Sequence, residues 1–136
     1  MNMFIRFASL RVNRDSGREL GIFHTAYALR ESGRLDDDEI AQLNALLEVF
    51  NNELDVPGCY GDTSVRWQRR YRAICWFKTQ SREFISQMWT VAKFMKCHGV
   101  QMKLLRTTLP GRVLYEDEHQ VAAVPFSRAR EFKRWI

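Results

Sequence analysis

Hydrophobic and polar positions recur along the chain in a pattern that predicts three helices and five strands. Residues 3–12 are mostly apolar and β-prone, which predicts a first strand. Residues 21–32 carry apolar side chains at helical spacing and predict a first helix. Residues 36–54 predict a second helix, because Asp36 and Glu39 match a capping box in front of a regular apolar stripe.

The second half of the chain predicts a buried strand, a third helix and three further strands. Residues 73–77, AICWF, are apolar without interruption, which is typical of a strand covered on both faces in the middle of a sheet. The third helix follows, with Thr79 or Ser81 as its cap. Residues 100–106 alternate as a strand. Residues 113–115 and 120–124 flank the polar tip 116–119 in the manner of a β-hairpin.

The order β-α-α-β-α-β-β-β predicts a two-layer α+β sandwich, in which helices cover one face of a small mixed sheet. The β-α-β unit over residues 73–106 implies one parallel pair joined by a right-handed crossover. We expect a single domain over residues 1–126 and a basic tail over residues 127–136. A terminal helix capped by Ser127 is an open alternative for that tail.

Length and composition exclude several protein classes. The 136 residues are 46% hydrophobic and 27% charged, values that suit one soluble domain. No apolar run is long enough to cross a bilayer, and Arg6 and Arg11 interrupt the N-terminal stretch, so we expect no secretory signal, no membrane partner and a cytoplasmic location. The cysteines Cys59, Cys75 and Cys97 are odd in number and far apart, which argues against a disulfide framework.

Charge is divided between two blocks of the chain. Residues 31–62 contain nine acids and one base, a net charge of −8, whereas residues 63–109 contain ten bases and one acid, a net charge of +9. Such asymmetry predicts an acidic or polyanionic partner for the basic block. The alternative is that the two blocks face each other within the fold and partly cancel.

The segment 64–78, SVRWQRRYRAICWFK, holds four arginines and four aromatic residues and no acid. Arginine beside aromatic rings grips phosphates and stacks on flat groups, and the same pairing forms hot spots between proteins. Because residues 73–77 are predicted core, the binding residues narrow to a short set. They are Arg66, Trp67, Arg69, Arg70, Tyr71 and Arg72, and the tail repeats their composition with Arg128, Arg130, Lys133, Arg134 and Trp135. The competing interpretation is that Trp67 and Tyr71 cap the core while the arginines are solvated or pair with the acidic helix.

Signatures of metal binding and catalysis are weak. His24, His98 and His119 do not combine with the cysteines at any metal-ligand spacing, so we expect no metal and no cofactor. Cys59 lies in a loop with arginines near it in sequence, but the sequence places no histidine near it in space. The acidic tip at residues 116–119 is typical of a solvated turn. An enzyme is therefore the less favoured class.

Three stretches of the chain, residues 16–35, 73–78 and 109–126, together resemble a scattered group of small bacterial proteins with no assigned activity. The resemblance extends over most of the chain up to about Phe126. It implies a bacterial origin and carries nothing about chemistry.

The sequence therefore predicts a non-enzymatic binding or accessory protein that uses its arginine–aromatic residues on a protein partner. A nucleic-acid-binding protein that contacts phosphates through the same residues is the alternative, and a small hydrolase or transferase is the second alternative. Formation of a homodimer is left open.

Overall fold

Strand β1 (Phe4–Val12) lies in the middle of a seven-stranded sheet in the computed structural model, which describes residues 2–12, 19–54, 73–126 and 132–135. The other elements follow in chain order: β2 Glu19–Gly21, α1 Ile22–Glu31, α2 Asp37–Glu53, β3 Ile74–Lys78, α3 Arg82–Cys97, β4 Met102–Thr107, β5 Arg112–Glu116, β6 Gln120–Val124 and β7 Phe132–Trp135. The strand order is β5-β6-β3-β1-β4-β7, and β2 pairs with β1 in addition.

The central position of β1 follows from its apolar content on both faces. Every residue from Phe4 to Ser9 is buried. Because side chains alternate across a strand, Ile5 and Phe7 point to one side of the sheet, and Phe4 and Ala8 point to the other. A strand that contributes to two cores is stable only where neighbouring strands and covering layers exclude water from both faces.

The larger core lies between the sheet and the helices. α1, α2 and α3 turn their apolar stripes towards the face that carries Ile5 and Phe7. Aromatic rings tie the layers together: Phe7 meets Trp89 edge-on at 5.2 Å between ring centroids, and Phe23 meets Phe50 at 4.9 Å. This layer fixes the helices on one face of the sheet.

A second, smaller cluster lies on the opposite face of the sheet. Its members are apolar residues of β1, β3, β4 and β6, all of them buried: Phe4, Ala8, Ile74, Trp76, Leu105 and Val121. The indole Nε1 of Trp76 is buried and has no hydrogen-bond partner among the described residues. The cluster therefore depends on apolar packing around that indole ring.

The connection from β4 to β5 requires the sheet to coil. β4 ends at Thr107 opposite Phe4, whereas β5 begins at Arg112 opposite Val124 at the other end of the sheet, with β1, β3 and β6 between them. Four strand spacings of about 4.8 Å already amount to about 19 Å. Five Cα–Cα steps of about 3.8 Å reach no further than this. In a flat sheet Thr107 and Arg112 would also be separated along the strand direction, so the connection could not reach from one to the other. The right-handed twist of the sheet must therefore bring the end of β4 close to the start of β5.

The predicted α+β class, with helices on one face of the sheet, is confirmed. The predicted capping box of α2 is present as well. Asp36 accepts a hydrogen bond from the Glu39 amide at 2.8 Å, and the Glu39 carboxylate accepts one from the Asp36 amide at 2.9 Å. β3 lies between β6 and β1, which confirms its predicted place in the middle of the sheet.

The predicted parallel pair is wrong. β3 and β4 run in the same direction, but β1 lies between them, and every strand pairing among the described residues is antiparallel. The crossover is therefore a split β-α-β unit. The local pattern of such a unit is the same whether or not a third strand enters between its two strands, so residues 73–106 could not reveal the insertion of β1.

Two further elements differ from the sequence prediction. Phe132–Trp135, within the predicted basic tail, form strand β7 beside β4 rather than a helix, because the free edge of β4 offers hydrogen-bonding groups to an extended chain. Glu19–Gly21 form the short strand β2, which the sequence analysis missed. A strand of three residues is too short to show the alternation of apolar and polar side chains by which strands are identified in a sequence.

Among the described residues, no helix combines the length and the hydropathy that a bilayer-spanning segment requires.

Gly111 offers a test of the tight β4–β5 connection. Its φ of 125° suits only glycine, and a Cβ there would overlap the Val124 carbonyl and lie 2.8 Å from the Pro125 Cα. We expect Gly111→Ala to lower the free energy of unfolding by at least about 2 kcal/mol. Gly33→Ala is the control: Gly33 has a φ of 80° and open space around it, so about 1 kcal/mol is expected. Urea denaturation followed by circular dichroism measures both, and equal losses would contradict the geometry.

Candidate interaction surface

The predicted binding residues divide into two groups with respect to the structure. Arg66, Trp67, Arg69, Arg70, Tyr71, Arg72, Arg128 and Arg130 lie outside the described residues. The other three belong to the edge strand β7, where Lys133 lies opposite Leu105, Arg134 opposite Leu104 and Trp135 opposite Lys103. The structure therefore locates the backbone of the second group at the β4 edge of the sheet.

Residues 66–72 and the start of the basic tail connect to the described sheet at the same end, and the tail then leads into β7, whose Phe132 pairs with Arg106 at the other end. Residues 66–72 lead into β3, whose first residue Ile74 pairs with Ala123 near the end of β6. Residues 127–130 follow β6 after Phe126. Because β3 and β6 are neighbours, the points at which both segments attach lie on adjacent strands.

Exposed arginines and apolar side chains surround these attachment points. β1 ends at this side of the sheet with Leu10 and Arg11, β5 starts here with Arg112 and Val113, and Phe126 follows β6. Leu10 is 58% exposed, Val113 45% and Phe126 51%, and both arginines are exposed. We call these five residues the arginine–apolar rim.

The rim has the composition of a protein-binding patch. It runs along one end of the sheet from β5 to β1, where the last residues of β1 pair with β2 rather than with β3. Arginine and aromatic side chains dominate the energetics of protein interfaces, and large exposed apolar side chains are removed from water there. Sequence analysis missed the rim because its members come from β1, from β5 and from the segment after β6, and only the strand order brings them together.

A polar group joins β2 to its neighbours near the end of β1. The Lys103 ammonium lies 2.6 Å from the Glu19 carboxylate, and the Arg6 guanidinium donates to the Glu19 main-chain carbonyl. Burial alone would raise the pKa of Glu19, but the hydrogen bond from Lys103 and the charges of Lys103 and Arg6 hold it below its ordinary value. These contacts tie β2 to β1 and β4.

The acidic helix does not neutralise the described cations. Asp36 and Glu39 are engaged in the capping box, and the Glu39 carboxylate lies 3.4 Å from Nε2 of His98. No ion pair joins the remaining acids of α2 to any cation in the described ranges; they are Asp37, Asp38, Glu48 and Glu53. The arginines of residues 66–72, which the alternative interpretation pairs with α2, lie outside the described residues, so that interpretation stays a prediction.

The opposite end of the sheet holds a different polar group. The Ser81 hydroxyl and Nδ1 of His119 are 2.9 Å apart, and the His119 ring meets Phe84 edge-on at 4.8 Å. Ser81 is only 7% exposed, whereas Glu118, whose carboxylate lies 3.8 Å from His119 Nε2, is 82% exposed. Ser81 occupies the N-cap position of α3, but its side chain bonds to His119 instead of the helix. The arrangement fastens the hairpin tip to the start of α3.

His98 and His119 lie far apart. His98 follows the end of α3, and His119 contacts its start, so the 16-residue helix separates them by about 24 Å. His24 is exposed on α1, and Cys97 is exposed at the end of α3. Cys59 is outside the described part of the chain, within which no group of three metal-ligating side chains converges.

Asp117 organises the hairpin tip and predicts a pH dependence. Partial burial alone would raise the pKa of this carboxyl, but hydrogen bonds from the His119 and Gln120 amides, the Tyr115 hydroxyl and the Gln120 side chain hold it below its ordinary value. An Asp with a lowered folded-state pKa stabilises the fold above its unfolded-state pKa, and this contribution is lost as the pH falls through the folded-state value.

We therefore expect Asp117→Asn to be less stable than the wild type at pH 6. The difference should shrink as the pH falls below about 4, where the wild-type carboxyl becomes protonated and resembles the amide. Thermal unfolding of both proteins from pH 6 down to about pH 2 measures it, with Glu118→Gln as the exposed control. A difference that stays constant with pH would show that the charge of Asp117 is unimportant.

Comparison with known proteins returned no match: no protein-family model, no curated protein and no solved structure is similar to this chain. The rim and its neighbouring segments are therefore the features from which a function is inferred.

Proposed function

We propose that the chain is a non-enzymatic binding protein that engages a protein partner through the arginine–apolar rim and through the arginine–aromatic residues 66–72, which precede β3 in the sequence. The observation that carries this proposal is the exposure of Leu10, Val113 and Phe126 beside Arg11 and Arg112 at one end of the sheet. Removing such side chains from water stabilises a complex, and the arginines can bind carboxylates in a bidentate manner.

The apolar members of the rim favour a protein partner over nucleic acid. Phosphate contacts require cations and hydrogen-bond donors, and gain little from aliphatic side chains such as Leu10 and Val113. Interfaces between proteins place large apolar side chains at the centre and arginines around them. The rim has both components.

A binding role also agrees with the use made of the polar side chains elsewhere. Ser81 and His119 bond to each other, and His98 pairs with Glu39. These contacts join helix termini to neighbouring elements, so they support the fold that positions the rim.

Co-purification with matched variants tests the proposal. The tagged protein is isolated from its native cells after RNase and DNase treatment, and bound proteins are quantified by mass spectrometry. We expect a protein that is retained by the wild type and lost at least about tenfold with Arg112→Glu/Phe126→Ser or Trp67→Ala/Arg70→Glu. Arg82→Glu, an exposed charge reversal at the start of α3, is the control and should retain the partner.

Retention of every bound protein by the rim variant would overturn the proposal. A salt titration with duplex DNA and with RNA separates the nucleic-acid alternative. Phosphate binding would appear as a linear loss of log affinity with log salt, with a slope of about −0.9 for each duplex phosphate contacted. Such a slope, together with the loss of all protein partners after nuclease treatment, would show that the partner is nucleic acid and not a protein.

A further inference from the structure

The outward face of α2 is a second exposed surface with an apolar centre. Its inward stripe of Leu43, Leu47 and Phe50 is buried against α1 and α3. The residues on the other side of the helix are all exposed: Asp38, Ala41, Ala45, Glu48, Val49 and Asn52. Ala41, Ala45 and Val49 are spaced four residues apart, so they form a continuous apolar stripe along that face.

The charge on this face has one sign. The segment Asp37–Glu53 contains five acidic residues and no lysine or arginine. Three of the acids lie in the first turn, where the helix dipole favours them, but Glu53 is in the last turn without any basic residue. A negative charge at a helix C-terminus opposes the dipole, so helix stability does not explain Glu53.

The α2 face and the rim are complementary in composition. The rim places Arg11 and Arg112 beside Leu10, Val113 and Phe126, whereas the α2 face places acids beside a stripe of small apolar residues. An apolar centre with flanking charges of opposite sign on the two sides is the arrangement that gives both affinity and specificity in protein interfaces.

The two surfaces do not cover each other within one molecule. Both are exposed, and the acids Asp38 and Glu48 form no ion pair with a cation in the described ranges. α2 lies in the helical layer with its outward face turned away from the sheet, and the rim lies at the end of the sheet. They can therefore meet only between molecules.

We propose that the partner of the rim is a second copy of this chain, which docks through the outward face of its α2. This inference rests on the proposed function, since it uses the rim as a protein-binding surface and names what binds there. The contact joins two different surfaces, so a complex of any length keeps one free rim at one end and one free α2 face at the other. Association is then head-to-tail and extends with concentration.

Analytical ultracentrifugation of the full-length wild type is the first test. We expect association that grows with protein concentration and weakens at least about tenfold between about 0.05 and 0.5 M salt, because exposed charge pairs are screened over that range. A wild type that remains monomeric throughout at low salt would overturn the inference.

Charge-reversal variants then identify the two surfaces. Arg112→Glu/Phe126→Ser removes the rim, and Glu48→Lys/Val49→Ser removes the α2 face; each variant alone should be monomeric. Mixed in equal amounts, the first still offers an intact α2 face and the second an intact rim, so a 1:1 dimer that does not grow further is expected. Absence of this dimer, or continued association of either variant alone, would contradict the assigned contact.

Matched controls leave both surfaces intact. Arg82→Glu and Glu118→Lys reverse exposed charges at the other end of the sheet and should associate as the wild type does. The two proposals fail separately. A monomeric wild type whose rim variant still loses a different protein partner would remove only the inference of self-association. A rim variant that retains both self-association and every other protein partner would overturn the proposed function as well.

Discussion

The burial of β1 on both faces is the constraint on which the rest of the structure depends. Ile5 and Phe7 need a covering layer on one side, and Phe4 and Ala8 need one on the other. A strand of this kind cannot remain at an edge, so β3 and β4 pair on its two sides and separate the ends of the β-α-β crossover. The helical layer, the second cluster around Trp76 and the coiling of the sheet all follow from that placement.

The same strand order gives the sheet two chemically different ends. At one end, β1, β5 and Phe126 after β6 bring together arginines and exposed apolar side chains. At the other, hydrogen bonds of Asp117, His119 and Ser81 stabilise the hairpin and join it to α3. The second end therefore stabilises the fold, and the first carries the rim that is proposed as the binding surface.

Local sequence patterns predicted the helices and strands well, but they predicted poorly which strands pair with one another. The capping box of α2 and the apolar run of β3 act within a few residues, so the sequence alone identifies them. The insertion of β1 and the pairing of β7 depend on hydrogen bonds between distant segments, which no local period records. For the same reason the arginine–aromatic composition identified residues 66–72 as binding candidates but did not reveal the rim.

The sequence by itself determined the α+β class, the separation of acidic and basic blocks and the arginine–aromatic composition of the segment before β3. These properties depend on which residues lie near one another along the chain. Only the tertiary structure decided that the sheet is antiparallel, that Leu10, Arg112 and Phe126 share one end of it, and that the acids of α2 face outward. The physical reason is that register and burial are set by contacts between residues far apart in the chain, which compete for the same apolar surfaces and backbone hydrogen bonds.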